Sequence, residues 1–206
     1  MRTRIKICGL TTVEDALSSA HLGADALGLN FYPKSTRYLS LDGARAISRS
    51  VPPFVSVVAL FVNPQRSEVE QVLNAISPAL LQFHGDEPAE FCSSFAVPYV
   101  KACRMAAEVD LLEYMRPYAD AQAWLADGYS EHYGGAGAQF DWSRLPKSLP
   151  KPLILSGGLS PQNAREAVRL VRPWALDVCS GVEAGKGIKD AAKVAAFIAE
   201  VRHADG

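Results

Sequence analysis

Cysteine is scarce and scattered. The four cysteines, Cys8, Cys92, Cys103 and Cys179, form no CxxC pair, so neither a zinc knuckle nor a disulfide framework is indicated, and they read as the reduced thiols of a cytoplasmic protein. Net charge is almost absent: 21 Lys and Arg against 22 Asp and Glu give a formal −1. That leaves no electrostatic footprint for nucleic acid or an anionic membrane. Long apolar runs are missing too. The most extended, FVSVVALFV at 54–62, falls far short of a bilayer-spanning helix. The opening MRTRIKICG carries neither the apolar segment nor the small-residue cleavage site of a secretory signal. No composition break or linker divides the 206 residues, so a single domain over 1–206 is expected.

What the chain does have is alternation. Short, β-branched apolar stretches recur at 4–8, 25–31, 54–62, 79–84, 98–103, 122–127, 151–156 and 174–179. Most are followed by a helical pattern. Glu14 lies three residues after Thr11 and Asp15 three after Thr12, which resembles a capping box at the start of the first helix, expected from about Thr12 to Leu22. Ser160 as N-cap and Pro161 at the first helical position predict a later helix running to about Val171. A helix is also expected from about Ala107 to Tyr114. Near-continuous apolar strands suit a parallel sheet covered on both faces. Eight such units predict an α/β fold of the (β/α)8 TIM-barrel type, with a doubly wound open sheet as the alternative. The stretch 127–142, DGYSEHYGGAGAQFDW, reads as a long loop with little room for a helix.

Barrel chemistry sits at the carboxyl ends of the strands. The residues there are Cys8, Asn30, Asn63, His84, Lys101 to Cys103, Asp127, Ser156 and Asp177. Most are polar or titratable. Two glycine-containing segments, SGGLSPQN at 156–163 and CSGVEAGKG at 179–187, follow strands seven and eight. Glycine lets backbone N–H groups close on an anion, and the two loops together predict a phosphate site.

The motifs KICGLT (6–11), FYPKSTR (31–37), LFVN (60–63), LQFHGDE (81–87), GGAG…FDW (134–142), LSGGL (155–159) and LDVCSGVE (176–183) together resemble the phosphoribosylanthranilate isomerases of tryptophan biosynthesis. The resemblance runs over nearly the whole chain. It implies an isomerase that converts N-(5-phosphoribosyl)anthranilate to 1-(2-carboxyphenylamino)-1-deoxyribulose 5-phosphate by an Amadori rearrangement, with no cofactor and no metal. It implies a cysteine and an aspartate as general base and acid, matched here by Cys8 and Asp127. The acid protonates the furanose oxygen, so Asp127 must hold a proton, which calls for a raised pKa or proton uptake. The base takes a proton from the adjacent sugar carbon, and a modest shift of an ordinary thiol near 8.5 would serve. Arg37 matches the arginine that binds the anthranilate carboxylate, a task suited to a planar guanidinium. Asp177 matches an aspartate near the sugar hydroxyls. His84 either positions the site or bonds structurally to a neighbouring strand end. The phosphate would rest on amides of Gly157 and Gly158 after strand seven and of Ser180 and Gly181 after strand eight.

The implied partner is therefore a small phosphosugar, with no nucleic acid or membrane, on a monomer, with a homodimer as the alternative. Cys92, Cys103 and Cys179 read as packing residues. The run GGAG places Ala136 where a hydroxyl residue is common in the family. Trp124 should share the side of Ala126 rather than that of Asp127. Two other enzymes compete: a lysine-centred indole-glycerol-phosphate synthase, for which Lys6 alone is no set, and a metal-dependent pentulose-phosphate epimerase. A non-catalytic phosphosugar-binding barrel would not need Cys8, Arg37 and Asp127.

Overall fold

The computed structural model describes residues 2–129 and 139–206. Eight parallel strands close in sequence order: β1 (Arg4–Cys8), β2 (Ala26–Asn30), β3 (Ser56–Phe61), β4 (Leu80–Phe83), β5 (Tyr99–Met105), β6 (Ala123–Gly128), β7 (Leu153–Leu155) and β8 (Ala175–Val178). The last returns to the first, with Lys6 opposite Asp177 in the β1–β8 register. The open-sheet alternative is thereby excluded. Helices α1 (Val13–Leu22), α2 (Leu41–Ser50), α3 (Arg66–Ile76), α4 (Ala89–Ser93), α5 (Leu111–Met115), α6 (Ala164–Val171) and α7 (Ala191–Asp205) surround the barrel. A short hairpin, β9 (Glu183–Gly185) with β10 (Ile188–Lys189), follows β8.

Local chemistry sets the element ends. The Thr12 side chain accepts from Asp15 N to start α1, and Gly23 in the left-handed region (φ 109°) ends it. Asp110 caps α5 by accepting from Leu112 N and Glu113 N, so that helix begins at Leu111 and not near Ala107. The expected start at Ser160 is also corrected: α6 begins at Ala164. Asn163 accepts from Ser160 N and donates to Gly158 O, both at 2.9 Å. This side chain ties the Ser160–Pro161 turn into the preceding loop, and the regular helix starts after it. Between the described part of the β6 loop and β7 there is only a 3₁₀ turn, Trp142–Arg144.

Strand alternation separates two cores. Ile5, Ile7, Leu27, Leu29, Phe61, Leu81, Phe83, Leu176 and Val178 face outward and are buried under the helices. Val100, Ala102, Ala123, Leu125, Ile154 and Ala175 fill the barrel interior. Each fully buried aliphatic or aromatic side chain contributes roughly 1.5–3 kcal/mol over its exposed state. Trp124 and Ala126 belong to the outer layer, so Asp127, one residue on, points inward.

Candidate active site

The inward parity that carries Ala123 and Leu125 continues to Asp127. On β1 it carries Lys6 and then Cys8, on β4 Gln82 and then His84, and on β8 Ala175 and then Asp177. These polar groups therefore share the carboxyl-end mouth of the barrel. Lys6, Cys8, Gln82, His84, Asp127 and Asp177 are each less than 10 % exposed.

Cys8 packs with Leu60, Val62, Tyr32 and Cys179. Burial pushes its thiol up, the neighbouring Lys6 ammonium pulls it down, and Asp177 pushes it up again. The net direction is upward. The expected small shift towards a ready thiolate is thus reversed in the free protein, because burial removes the sulfur from water. Glycine follows for a geometric reason. Gly9 has φ 75°, and a Cβ there would lie 2.5 Å from Arg37 Cδ, so the chain turns left-handed beneath the arginine.

Lys6 Nζ donates to Asp177 Oδ2 at 2.7 Å. Burial favours the neutral amine, but Asp177 and Cys8 outweigh it and hold the ammonium charged. The other carboxylate oxygen, Asp177 Oδ1, is buried with no hydrogen-bond partner among the described residues. An acceptor left in this way costs about 1–3 kcal/mol, a deficit that a ligand hydroxyl could satisfy.

On the far side, His84 Nε2 lies 2.9 Å from Asp127 Oδ2. Gln82 Nε2 lies 3.0 Å from His84 Nδ1. With the amide N–H donating to Nδ1, the ring proton sits on Nε2 and is donated to the carboxylate. His84 is thus bonded to the candidate aspartate at the end of β6.

Arg37 is 6 % exposed. Its Nε and Nη2 donate to Glu183 Oε1 and Oε2, each at 2.7 Å. Lys189 Nζ donates to the same Oε1 at 2.9 Å. Burial acts to raise the Glu183 carboxyl, but the bonds from Arg37 and Lys189 hold it below the usual range. The arginine is therefore clamped side-on, with its Nη1 edge directed away from Glu183.

The two glycine loops meet. Gly157 and Gly158 both adopt positive φ, 87° and 63°. A Cβ on Gly181 would lie 1.9 Å from Leu159 O, so the loop after β8 lies directly against the loop after β7. Ser180 begins a 3₁₀ turn to Val182 at this junction. Gly134, Gly135, Ala136 and Gly137 lie outside the described residues.

Other strand-end residues do not join the site. Lys101 and Cys103 have outward parity and are fully buried in the helix layer, where Lys101 Nζ donates to Glu87 Oε2 at 3.1 Å. Asn63 Oδ1 accepts from Asp86 N at 2.7 Å and braces the next loop. Cys179 is pushed up to about 12, by burial above all, and remains a packing thiol. Among the described residues no group of three or more His, Cys, Asp or Glu is placed to hold a metal ion, and no helix is long and apolar enough to cross a membrane. Lys6, Gln82, Glu183 and Lys189 were not among the candidates read from sequence. The first two carry a detectable signal: each is a polar residue two positions before a candidate, on the same inward face.

Residues 5–200 match the model of the N-(5'-phosphoribosyl)anthranilate isomerase family. The N-(5'-phosphoribosyl)anthranilate isomerase of Dechloromonas aromatica is 51 % identical over 205 residues, covering 100 % of this chain and 99 % of the relative. The crystal structure of phosphoribosyl anthranilate isomerase from Thermotoga maritima superposes with TM-score 0.87 at 40 % identity, over 98 % and 99 % of the two chains. A structure of such an isomerase in complex with reduced 1-(o-carboxyphenylamino)-1-deoxyribulose 5-phosphate gives TM-score 0.84 at 39 % identity, with the same coverage. With these matches on a closed barrel whose mouth holds Cys8, Asp127 and Asp177, the chain belongs to the N-(5'-phosphoribosyl)anthranilate isomerase family.

Proposed function

We propose that Cys8 and Asp127 are the general base and general acid of this barrel, supported by one observation above the rest: both end inward-facing rows of strands on different parts of one mouth. The reaction is the family's own. The chain isomerises N-(5-phosphoribosyl)anthranilate to 1-(2-carboxyphenylamino)-1-deoxyribulose 5-phosphate in tryptophan biosynthesis.

The Asp127 carboxyl gives its proton to the furanose ring oxygen as the C1–O bond breaks. The anilino nitrogen supplies the electron pair, leaving a protonated Schiff base at C1. Cys8 as thiolate removes the proton from C2, and the released pair neutralises the nitrogen to form an enol-amine. Tautomerisation to the C2 ketone completes the rearrangement with no net change in protons. Two groups are needed because the two protons leave and arrive at different atoms. His84, donating to Asp127 Oδ2, fixes the carboxyl's orientation.

Binding is divided among the remaining groups. The Nη1 edge of Arg37 suits the anthranilate carboxylate, which would form a charge-assisted hydrogen bond there. Asp177 Oδ1 accepts from a sugar hydroxyl, removing its buried deficit. Amides of Gly157, Gly158, Ser180 and Gly181 hold the phosphate at the junction of the two loops. No cofactor or metal enters this scheme. The working unit is taken as a monomer in the cytoplasm, in keeping with four unpaired thiols. Sedimentation would show a single species at one chain's mass and would show twice that mass for the homodimer.

The test is turnover of freshly prepared substrate, followed by loss of anthranilate fluorescence. Wild type should turn over, and folded Cys8→Ala and Asp127→Asn should each lose about 10²–10⁴-fold in kcat. Activity surviving Cys8→Ala would move the base elsewhere. Phosphosugar binding without turnover in wild type would reduce the chain to a binding barrel.

A further inference from the structure

Lys6 has no part in the scheme above, yet it occupies the interior beside the proposed base. It lies two residues before Cys8 on the same inward row of β1. Gly28 on β2 shows how close the two side chains are. A Cβ at Gly28 would lie 2.7 Å from Cys8 Sγ and 3.0 Å from Lys6 Cε, so both groups pack over the same bare stretch of backbone. The Lys6 ammonium is near enough for its charge to pull the Cys8 thiol down. It is held there by Asp177 Oδ2 at 2.7 Å, and the side chains of this pair are only 7 % and 4 % exposed.

We propose that Lys6 is the counter-ion of the Cys8 thiolate, positioned by Asp177, and that it makes proton abstraction by a buried thiol feasible. This rests on the reading of Cys8 as the base. Burial sets the cost: a sulfur shielded from water cannot ionise without a nearby positive charge. Other charged or titratable groups near Cys8 lie in the loop after β2 (Arg37), after β8 (Cys179, Glu183) and on β10 (Lys189). Arg37 and Lys189 are both bonded to Glu183, so their charge is largely spent on that carboxylate. Asp177 likewise offsets Lys6, but the pull of Lys6 on the thiol exceeds the push of Asp177, and the unpaired Oδ1 of Asp177 can be damped by a substrate hydroxyl. When Cys8 takes the C2 proton its charge is lost, and Lys6 keeps its own proton throughout.

The experiment is the pH dependence of Cys8 alkylation by iodoacetamide, resolved from the other three cysteines by mass spectrometry of peptides, in wild type, Lys6→Met and Lys6→Met/Asp177→Asn. Met replaces the lysine stem without charge. The double variant leaves no unpaired buried charge and keeps the test open if the single variant fails to fold. Lys6→Met should alkylate about tenfold or more slowly at a fixed pH below the wild-type midpoint, as expected when a nearby charge is removed, and the double variant should be slowed less, because the opposing charge of Asp177 is removed with it. In both, the kcat–pH profile should move to higher pH. Coincident alkylation profiles in wild type and whichever variant folds would overturn the assignment. Alkylation needs no substrate, so the two readings fail separately: absent wild-type turnover would count against the isomerase scheme, while unchanged alkylation would count against Lys6.

Discussion

His84 Nε2 reaches across β5 to Asp127 Oδ2 at 2.9 Å, linking β4 to β6 inside the barrel. Gln82 Nε2 lies 3.0 Å from Nδ1 on the other side of the ring, and with that amide donating, the Nε2 edge carries the proton towards Asp127.

Gln82→Leu should keep the fold and remove only the donor to Nδ1. The ring is then free to adopt the other tautomer, which would present a lone pair to the carboxylate. One lost hydrogen bond of ordinary strength, about 1.4 kcal/mol, corresponds to about tenfold in kcat, with KM little changed. ¹⁵N spectra of the imidazole should show the Nε2–H form in wild type and a mixture in the variant. An unchanged tautomer with unchanged kcat would remove Gln82 from the positioning chain.

Glu183 should matter for binding and for acid stability. Glu183→Gln keeps the size but removes the charge that clamps Arg37 and Lys189. KM should rise about tenfold, because the guanidinium is no longer held in place for the carboxylate, and kcat should fall less. The pH dependence has a definite sign. The carboxyl is lowered in the folded state, so its stabilising contribution is complete above the ordinary glutamate value of 4.5. That contribution is lost as pH falls through the folded value. Urea midpoints should therefore drop more steeply below that pH in wild type than in the variant.

The barrel was legible in the sequence because eight apolar strands without a linker admit few alternatives, and the parity of Trp124 and Asp127 followed from alternation alone. Cys8, Asp127 and Asp177 were legible as strand-end residues. Lys101 was misplaced with them because β5 runs two residues further than its apolar signal, to Met105, and strand-end position without parity does not tell inside from outside. Glu183 was hidden inside LDVCSGVE because its partners Arg37 and Lys189 are brought to it by tertiary structure, 146 residues and 6 residues away in sequence. Lys6 was visible but was weighed only as the centre of a different enzyme's chemistry.

Lys101 carries a structural prediction. Its ammonium, fully buried, meets Glu87 Oε2 at 3.1 Å and the Gly85 carbonyl. Glu87 in turn accepts from Asn63 N at 2.7 Å. The pair thus ties the β4 loop, which carries His84, to β3 and β5. Lys101→Met alone leaves a buried unpaired carboxylate and should cost about 3–5 kcal/mol. Lys101→Met/Glu87→Gln should recover much of that loss. Chemical denaturation of the two variants checks this, and equal losses in both would show that the charge is not what the site stabilises.

Gly181 is the sharpest test of the phosphate junction. Its Cβ would fall 1.9 Å from Leu159 O, a backbone atom that cannot swing aside as a side-chain end can. Gly181→Ala must therefore push the β8 loop away from the β7 loop. The barrel strands β7 and β8 are built before this junction and should persist, so far-UV spectra should stay native. If amides from both loops share one phosphate, separating them loses part of that binding from the substrate in ground and transition states alike. KM should rise about tenfold or more while kcat holds. Inorganic phosphate, a competitor of wild type, should weaken in parallel. A variant that folds natively and retains wild-type KM and phosphate inhibition would place the phosphate elsewhere on the mouth.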